Sequence, residues 1–280
     1  MTVRILVLGD IVGRPGRQVV HDQLPLLVRE RKVDLVIANA ENIAGGSGIT
    51  TNLFNKLRSY GVDVCTLGDH ALRKSDIIPT LNASERIIRP ANFPSTAPGR
   101  RYTIVTTNSG VAVAVFTVMG RIFMNLPCDD PFAASDEVLR EIGPQVKIRI
   151  IEVHAEATSE KVAMGHYLDG RASLIFGTHT HIPTADARIL PGGSAYISDL
   201  GMCGPYDSVL GRRKDRVLQY MTTAIPSPFD IATGDVRLCG VFCEIDAQTG
   251  RSVSIERIEV RGHDDSPAYD ADDRSGNREG

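Results

Sequence analysis

Short β-branched runs alternate with longer amphipathic stretches through the first half of the chain. "VRILVLGD" (3–10), "VDLVIANAEN" (33–42) and "VDVCTLGDH" (62–70) read as strands, each a nearly continuous apolar run closed by polar residues. Between them, "GRQVVHDQLPLLVRERK" (16–32) and "TNLFNKLRSYG" (51–61) carry apolar positions at helical spacing. Apolar strands separated by helices predict an α/β architecture with parallel strands covered on both faces. Further along, "YTIVTTNSGVAVAVFTV" (102–118) predicts a hairpin turning at "NSG". "VKIRIIEVH" (146–154) and "ASLIFGTH" (172–179) predict two more strands, with "TSEKVAMGHYLDG" (158–170) as the helix between them. The alternating stretch 236–260 predicts a second antiparallel hairpin, turning at "QTG". From Gly262 the chain becomes polar and acidic, which predicts one domain over residues 1–261 and a disordered tail over 262–280.

Composition narrows the functional classes. Hydrophobic residues make up 42% of 280, enough for a sizeable core. Lys and Arg total 31 against 34 Asp and Glu, a net charge of −3. That balance gives no footprint for DNA or an anionic membrane as partner. The cysteines (65, 128, 203, 239 and 243) are odd in number and form no C-x-x-C pair, so they read as small buried residues in a reducing compartment. The apolar start is interrupted by Asp10, too early for a signal peptide, and no segment is long enough to span a bilayer. A soluble, cytoplasmic protein is the expectation.

The chemistry gathers where the strands end. Five strand-like runs close on potential metal ligands: Asp10; Glu41 and Asn42; Asp69 with His70; His154; and His179 with His181 in "GTHTHIP". In an open α/β sheet, ligands bind outside the carboxyl ends of the strands, so these residues are expected on one rim despite their sequence separation. Two divalent metals a few ångströms apart need a bridging carboxylate, oxygen ligands and neutral imidazoles. Glu41 suits the bridge; Asp10, Asn42 and Asp69 offer oxygen; the histidines offer nitrogen. Strand-like alternation would put His179 and His181 on one face, beside two adjacent ions.

Each residue alone has a plainer reading. Asp10 and the Asp69–His70 pair fit helix caps, Glu41–Asn42 fit ordinary loop residues, and His154 fits a satisfied buried histidine. His21 and His166 sit on helical stretches, and His263 lies in the tail. A serine triad is disfavoured because no G-x-S-x-G is present, and "GDIVGRPG" matches neither a Walker loop nor G-x-G-x-x-G. Taken jointly, the recurrence after successive apolar runs favours a metal centre.

In this order the residues resemble the calcineurin-like metallophosphoesterase superfamily, whose blocks run GD, a second acidic block, GN-H, H and GH-x-H. "GDIVGRPGR", "ANAENIAGGSGIT", "HAEATSEKVAMGHYLDGRASLIFGTHTHIPTADARILPGG" and "DLGMCGPYDSVLG" resemble more closely the bacterial YmdB-type family, over roughly residues 3–260. That resemblance implies a four-layer αββα sandwich of two mixed β-sheets flanked by helices. It implies a phosphodiesterase acting on 2′,3′-cyclic nucleotides, with a binuclear centre, typically of iron. Mn or Zn would suit the same ligand set. It places Asp10, Glu41, Asn42 and His181 on one metal, and Glu41, Asp69, His154 and His179 on the other, with His70 as proton donor. RNA ends are a further candidate substrate and a homo-oligomer a candidate assembly. The chain departs from the family where Asp69 stands for the usual Asn, and where Leu72 and Arg73 follow instead of Trp-Asp. The rival readings are another hydrolase of the superfamily, a phosphomonoesterase or nuclease, and a non-catalytic metal-dependent nucleotide or RNA binder.

Overall fold

The computed structural model describes residues 1–262, and the expected tail lies outside the described residues apart from Gly262. The first half contains β1 (Thr2–Leu8), β2 (Asp10–Ile11), α1 (Gly13–Arg31), β3 (Leu35–Asn39), α2 (Thr51–Tyr60), β4 (Val64–Thr66), α3 (Ile78–Ala83), β5 (Ile87–Ile88), β6 (Tyr102–Thr106), β7 (Ala112–Met119) and α4 (Pro131–Ile142). The second half contains β8 (Ile148–His154), α5 (Thr158–Leu168), β9 (Leu174–Thr178), β10 (Arg188–Ile189), β11 (Ala195–Ile197), β12 (Met202–Pro205), α6 (Lys214–Thr223), β13 (Val236–Asp246) and β14 (Ser252–Arg261).

These strands form two sheets, ordered β2-β12-β13-β1-β3-β4-β5, with β14 outside against β13, and β10-β11-β9-β8-β7-β6. The strands β1, β3, β4 and β5 run parallel, as do β7, β8, β9 and β11. Both sheets are mixed, because the two predicted hairpins bring antiparallel strands: β6 on β7, and β13 on β1 and β14.

Alternation along each strand sorts the core into layers. On β1, Val3, Ile5 and Val7 face the other sheet, where Val113, Val115, Ile148, Ile150, Leu174 and Phe176 meet them. Leu6 and Leu8 face the opposite way, onto Val20 and Leu24 of α1 and Leu53 and Leu57 of α2. Across the molecule, Phe116, Ile151 and Ile175 pack against Val138 of α4 and Met164 of α5. Helix, sheet, sheet, helix is the four-layer sandwich that the resemblance implied. Among the described residues no helix is long and apolar enough to cross a membrane. All five cysteines are free, four of them buried and Cys128 half-buried.

The strands stop earlier than the apolar runs predict. β3 ends at Asn39, β4 at Thr66 and β9 at Thr178, so Glu41, Asn42, Asp69, His70, His179 and His181 all sit in loops just beyond. The unpredicted α4 opens on an Asp-Pro cap: Asp130 Oδ1 accepts from the Phe132 and Ala133 N–H groups at 2.8 and 3.3 Å, and Pro131 occupies the first turn.

Candidate metal centre

The inner faces of the two sheets change character at one end. Asn39, Thr66, Thr117, Glu152, His154 and Thr178 continue the apolar rows of β3, β4, β7, β8 and β9, and all are buried. Glu152 accepts from Asn39 Nδ2 at 2.7 Å, Thr117 Oγ1 at 3.1 Å and Thr178 Oγ1 at 2.5 Å. Burial would raise its carboxyl pKa, but hydrogen bonding and the charge of His154 hold it below the usual range. Thr178 Oγ1 also lies 2.8 Å from His154 Nδ1, which fixes that ring and turns its Nε2 outward to the rim.

Around His154 Nε2 the ligand atoms converge. Asp69 Oδ1 lies at 2.9 Å, Glu41 Oε1 at 3.1 Å and His179 Nδ1 at 3.1 Å, while His179 Nδ1 is 3.2 Å from Asp69 Oδ1. Asp69 reaches this position because Gly68 precedes it; a Cβ there would run into the His154 ring. The four residues place one ligand atom each within 4.8 Å of all the others. Carboxylate oxygens, and imidazole nitrogens that carry no hydrogen, are all acceptors, so their convergence requires protons or a cation between them. Without a cation the protons fill that role. Burial opposes charge on His154, yet Glu41, Asp69 and Glu152 hold its imidazole well above its ordinary pKa. Burial likewise disfavours ionised Asp69, but its hydrogen bonds to His154 and His179 drive it far below the carboxylate range.

The second group adjoins the first through Glu41. Asn42 Nδ2 lies 3.3 Å from Glu41 Oε1 and 3.3 Å from His181 Nε2, and His181 Nε2 is 3.7 Å from Asp10 Oδ1. Asp10 is fully buried, and its Oδ1 has no hydrogen-bond partner. Burial, reinforced by the charges of Asp199, Glu41 and Glu152 against that of His154, pushes its carboxyl well above the usual pKa. An orphaned buried carboxylate oxygen facing an imidazole is a donor set that suits a cation. His181 Nδ1 lies 3.1 Å from the Leu210 carbonyl, which puts the proton on Nδ1 and leaves Nε2 as a lone pair. Burial pushes this imidazole down to about 4, so it is neutral at neutral pH, as a metal ligand must be. His70 stands over both groups. Its N–H donates to Glu41 Oε2 at 2.9 Å, its Nδ1 is 2.8 Å from Asn42 Oδ1, and its Nε2 is 3.3 Å from Asp69 Oδ2.

All eight residues singled out from the sequence thus meet at one rim, and the capping readings fall away. The residue before α1 is Val12, with no side-chain cap, and no helix begins at Ala71. Strand alternation does not, however, orient the histidine pair. His179 and His181 have φ of +93° and +65°, left-handed conformations that non-glycine residues adopt only when their surroundings impose them. The amide of Asn42, expected to offer oxygen, turns its nitrogen to His181 and its oxygen to His70; the two orientations of an amide occupy the same space. His21 lies on α1 beside Asp22, His166 lies in α5, and His263 is outside the described residues. Arg73 is exposed. The supporting residues Asn39, Glu152 and Thr178 escape the sequence reading. Each is a polar residue inside an otherwise apolar strand, which is an available signal of a buried role.

Residues 6–258 match the family described as YmdB-like protein. The chain belongs to that family. A Bacillus subtilis (strain 168) relative described as 2′,3′-cyclic-nucleotide 2′-phosphodiesterase is 44% identical over 256 residues, covering 91% of this chain and 96% of the relative. Among solved structures similar to this YmdB-like chain, a hypothetical protein from Thermus thermophilus superposes with a TM-score of 0.86 at 42% identity, covering 92% of this chain and 99% of its own. One from Mycoplasma pneumoniae, described as a novel phosphatase, superposes with a TM-score of 0.87 at 32% identity, covering 93% and 94%. With such relatives, this YmdB-like chain is a phosphoesterase.

Proposed function

We propose that the chain is a binuclear-metal phosphodiesterase that opens 2′,3′-cyclic nucleotides, free or at RNA ends, to nucleoside monophosphates. The observation that carries this reading is the convergence of Glu41, Asp69, His154 and His179 on one point, with Asn42 of the second group 3.3 Å from Glu41 Oε1. The Bacillus relative supports the choice of substrate. In this reading residues 1–261 act as one unit. The ions are iron, for which a mixed imidazole–carboxylate set is suitable, and the setting is the cytoplasm, in keeping with five free cysteines.

Asp69, His154 and His179 would hold one ion, Asp10, Asn42 and His181 the other, with Glu41 between them. When bound, such a pair polarises phosphoryl oxygens and lowers the pKa of water. The residues supply the rest. Thr178 and the Leu210 carbonyl fix the tautomers of His154 and His181. Water attacks phosphorus in line with the ribose 2′ oxygen, the bond between phosphorus and that oxygen breaks, and His70 Nε2 gives that oxygen a proton. The proton shed by the attacking water passes to solvent, from which His70 is reprotonated. Asn42 Oδ1 accepts from His70 Nδ1–H, which suits an imidazolium with a second proton on Nε2 to give.

The Mycoplasma structure favours phosphomonoester hydrolysis as a second reading. A panel of 2′,3′-cyclic AMP, 3′,5′-cyclic AMP and p-nitrophenyl phosphate, run on metal-loaded protein, separates the two. The expected result is turnover of the 2′,3′-cyclic substrate, falling about 10²–10⁴-fold in His70→Ala with metal content unchanged. Turnover of the monoester alone, or unimpaired His70→Ala, would refute the proposal.

A further inference from the structure

Beneath the histidine loop lies an ion pair that the reaction does not use. Lys161 Nζ of α5 and Asp199 Oδ2, just after β11, are 2.7 Å apart, and each side chain is 1% exposed. A buried Lys–Asp pair is a poor source of stability, because desolvation offsets its attraction and an apolar pair of similar volume often does as well. Its surroundings show another role. Asp199 Oδ2 also accepts from Thr180, from its N–H at 3.2 Å and its hydroxyl at 2.8 Å, and Thr180 is the residue between His179 and His181. Asp199 Oδ1 accepts from the Gly201 N–H at 2.8 Å. The Gly201 carbonyl accepts from the Asp10 N–H at 3.2 Å, and Asp10 Oδ2 accepts from the His179 N–H at 3.2 Å. The chain of bonds therefore closes on itself, running from Asp199 through Gly201, Asp10, His179 and Thr180 back to Asp199.

We infer that Lys161 and Asp199 are positioning residues that set the geometry of the metal centre, an inference that rests on the metal reading above. Asp199 pins Thr180 from below, which holds the flanking His179 and His181 in their left-handed conformations and splits them between the two ligand groups. Both carboxylate oxygens are needed, since one serves Thr180 and the other serves Gly201 and, through it, Asp10. Lys161 pairs with Asp199 and offsets part of the charge by which this buried carboxylate acts on Asp10. Gly177 lets the lysine pass: a Cβ there would stand 2.9 Å from Lys161 Cδ and run into the Ser198 carbonyl. Lys161 and Asp199 thereby give a role to "HAEATSEKVAMGHYLDG" beyond its ligand His154, and to "DLGMCGP", which holds none of the ligands.

The test is Mn²⁺ affinity, measured on the full chain by competition with a chelator, beside thermal unfolding in excess chelator. Asp199→Asn alone strands a buried cation, so the variant of choice is Lys161→Met/Asp199→Asn, which removes both charges. An amide oxygen cannot accept at both ends, so this variant is expected to bind Mn²⁺ at least about tenfold more weakly. Thr180→Val leaves the ion pair intact and removes only the hydroxyl bond. It should weaken Mn²⁺ binding several-fold while leaving the unfolding temperature in chelator unchanged. Wild-type Mn²⁺ affinity in a folded double variant, or in Thr180→Val, would overturn the inference and leave the pair a part of the fold alone. A wild-type chain that binds no Mn²⁺ would instead overturn the metal reading, and the inference with it.

Discussion

Around His154, four ligand atoms crowd within 4.8 Å of one another, whereas around His181 the Asp10 carboxylate stands 3.7 Å from the imidazole with one oxygen unpartnered. The difference follows from what lies beneath each group. His154 ends a strand, and its ring is braced by Thr178 and Glu152 from the interface of the two sheets, where both backbones are fixed by their ladders. His181 lies in a loop with left-handed backbone, braced by one carbonyl and, through Thr180, by Asp199. A strand of the sheet prearranges His154, and a hydrogen-bonded loop arranges His181. The lesson is that a metal site inherits the stiffness of whatever holds its ligands.

Removing the residue common to both halves should have the largest effect. Glu41→Gln should leave less than one metal equivalent per chain and lower turnover by more than about 10²-fold. Two retained ions in that variant would show that Glu41 is no bridge. A milder change addresses the braced half alone: Thr178→Val should weaken only the ion near His154, by about 10–100-fold. The smallest effect concerns the loop half. In chelator-treated protein, NMR titration should find His181 near 4, not at the ordinary value of about 6.5. Because folding lowers this pKa, burial of the neutral ring costs nothing above a pH of about 6.5, and its contribution to stability is lost as pH falls toward about 4. A titration near 6.5 would show that solvent reaches the ring.

Much of this arrangement is legible in the sequence, for a physical reason. Parallel strands buried on both faces write continuous apolar runs, and the residues that end them are delivered to one rim. Asp10, Glu41, Asp69 and His154 can therefore be named as neighbours from the amino-acid order alone. The rows facing solvent or loops carry weaker patterns. Strands of two to four residues, such as β5, β10, β11 and β12, have no room for a period. The orientation of His179 and His181 is not legible, because the apolar run suggests a strand extending through them, whereas the backbone turns left-handed directly after Thr178. What holds it there is Asp199, twenty positions after His179, and a hydrogen bond to a distant carboxylate leaves no local trace in a sequence.

A two-part centre with one shared carboxylate should hold two ions of unequal affinity, which metal stoichiometry measures. Elemental analysis of the full chain, reconstituted with excess metal and then titrated with chelator, is expected to give two equivalents, the ion beside His181 leaving before the ion beside His154. A single equivalent at saturation, or two that leave together with equal affinity, would contradict the account.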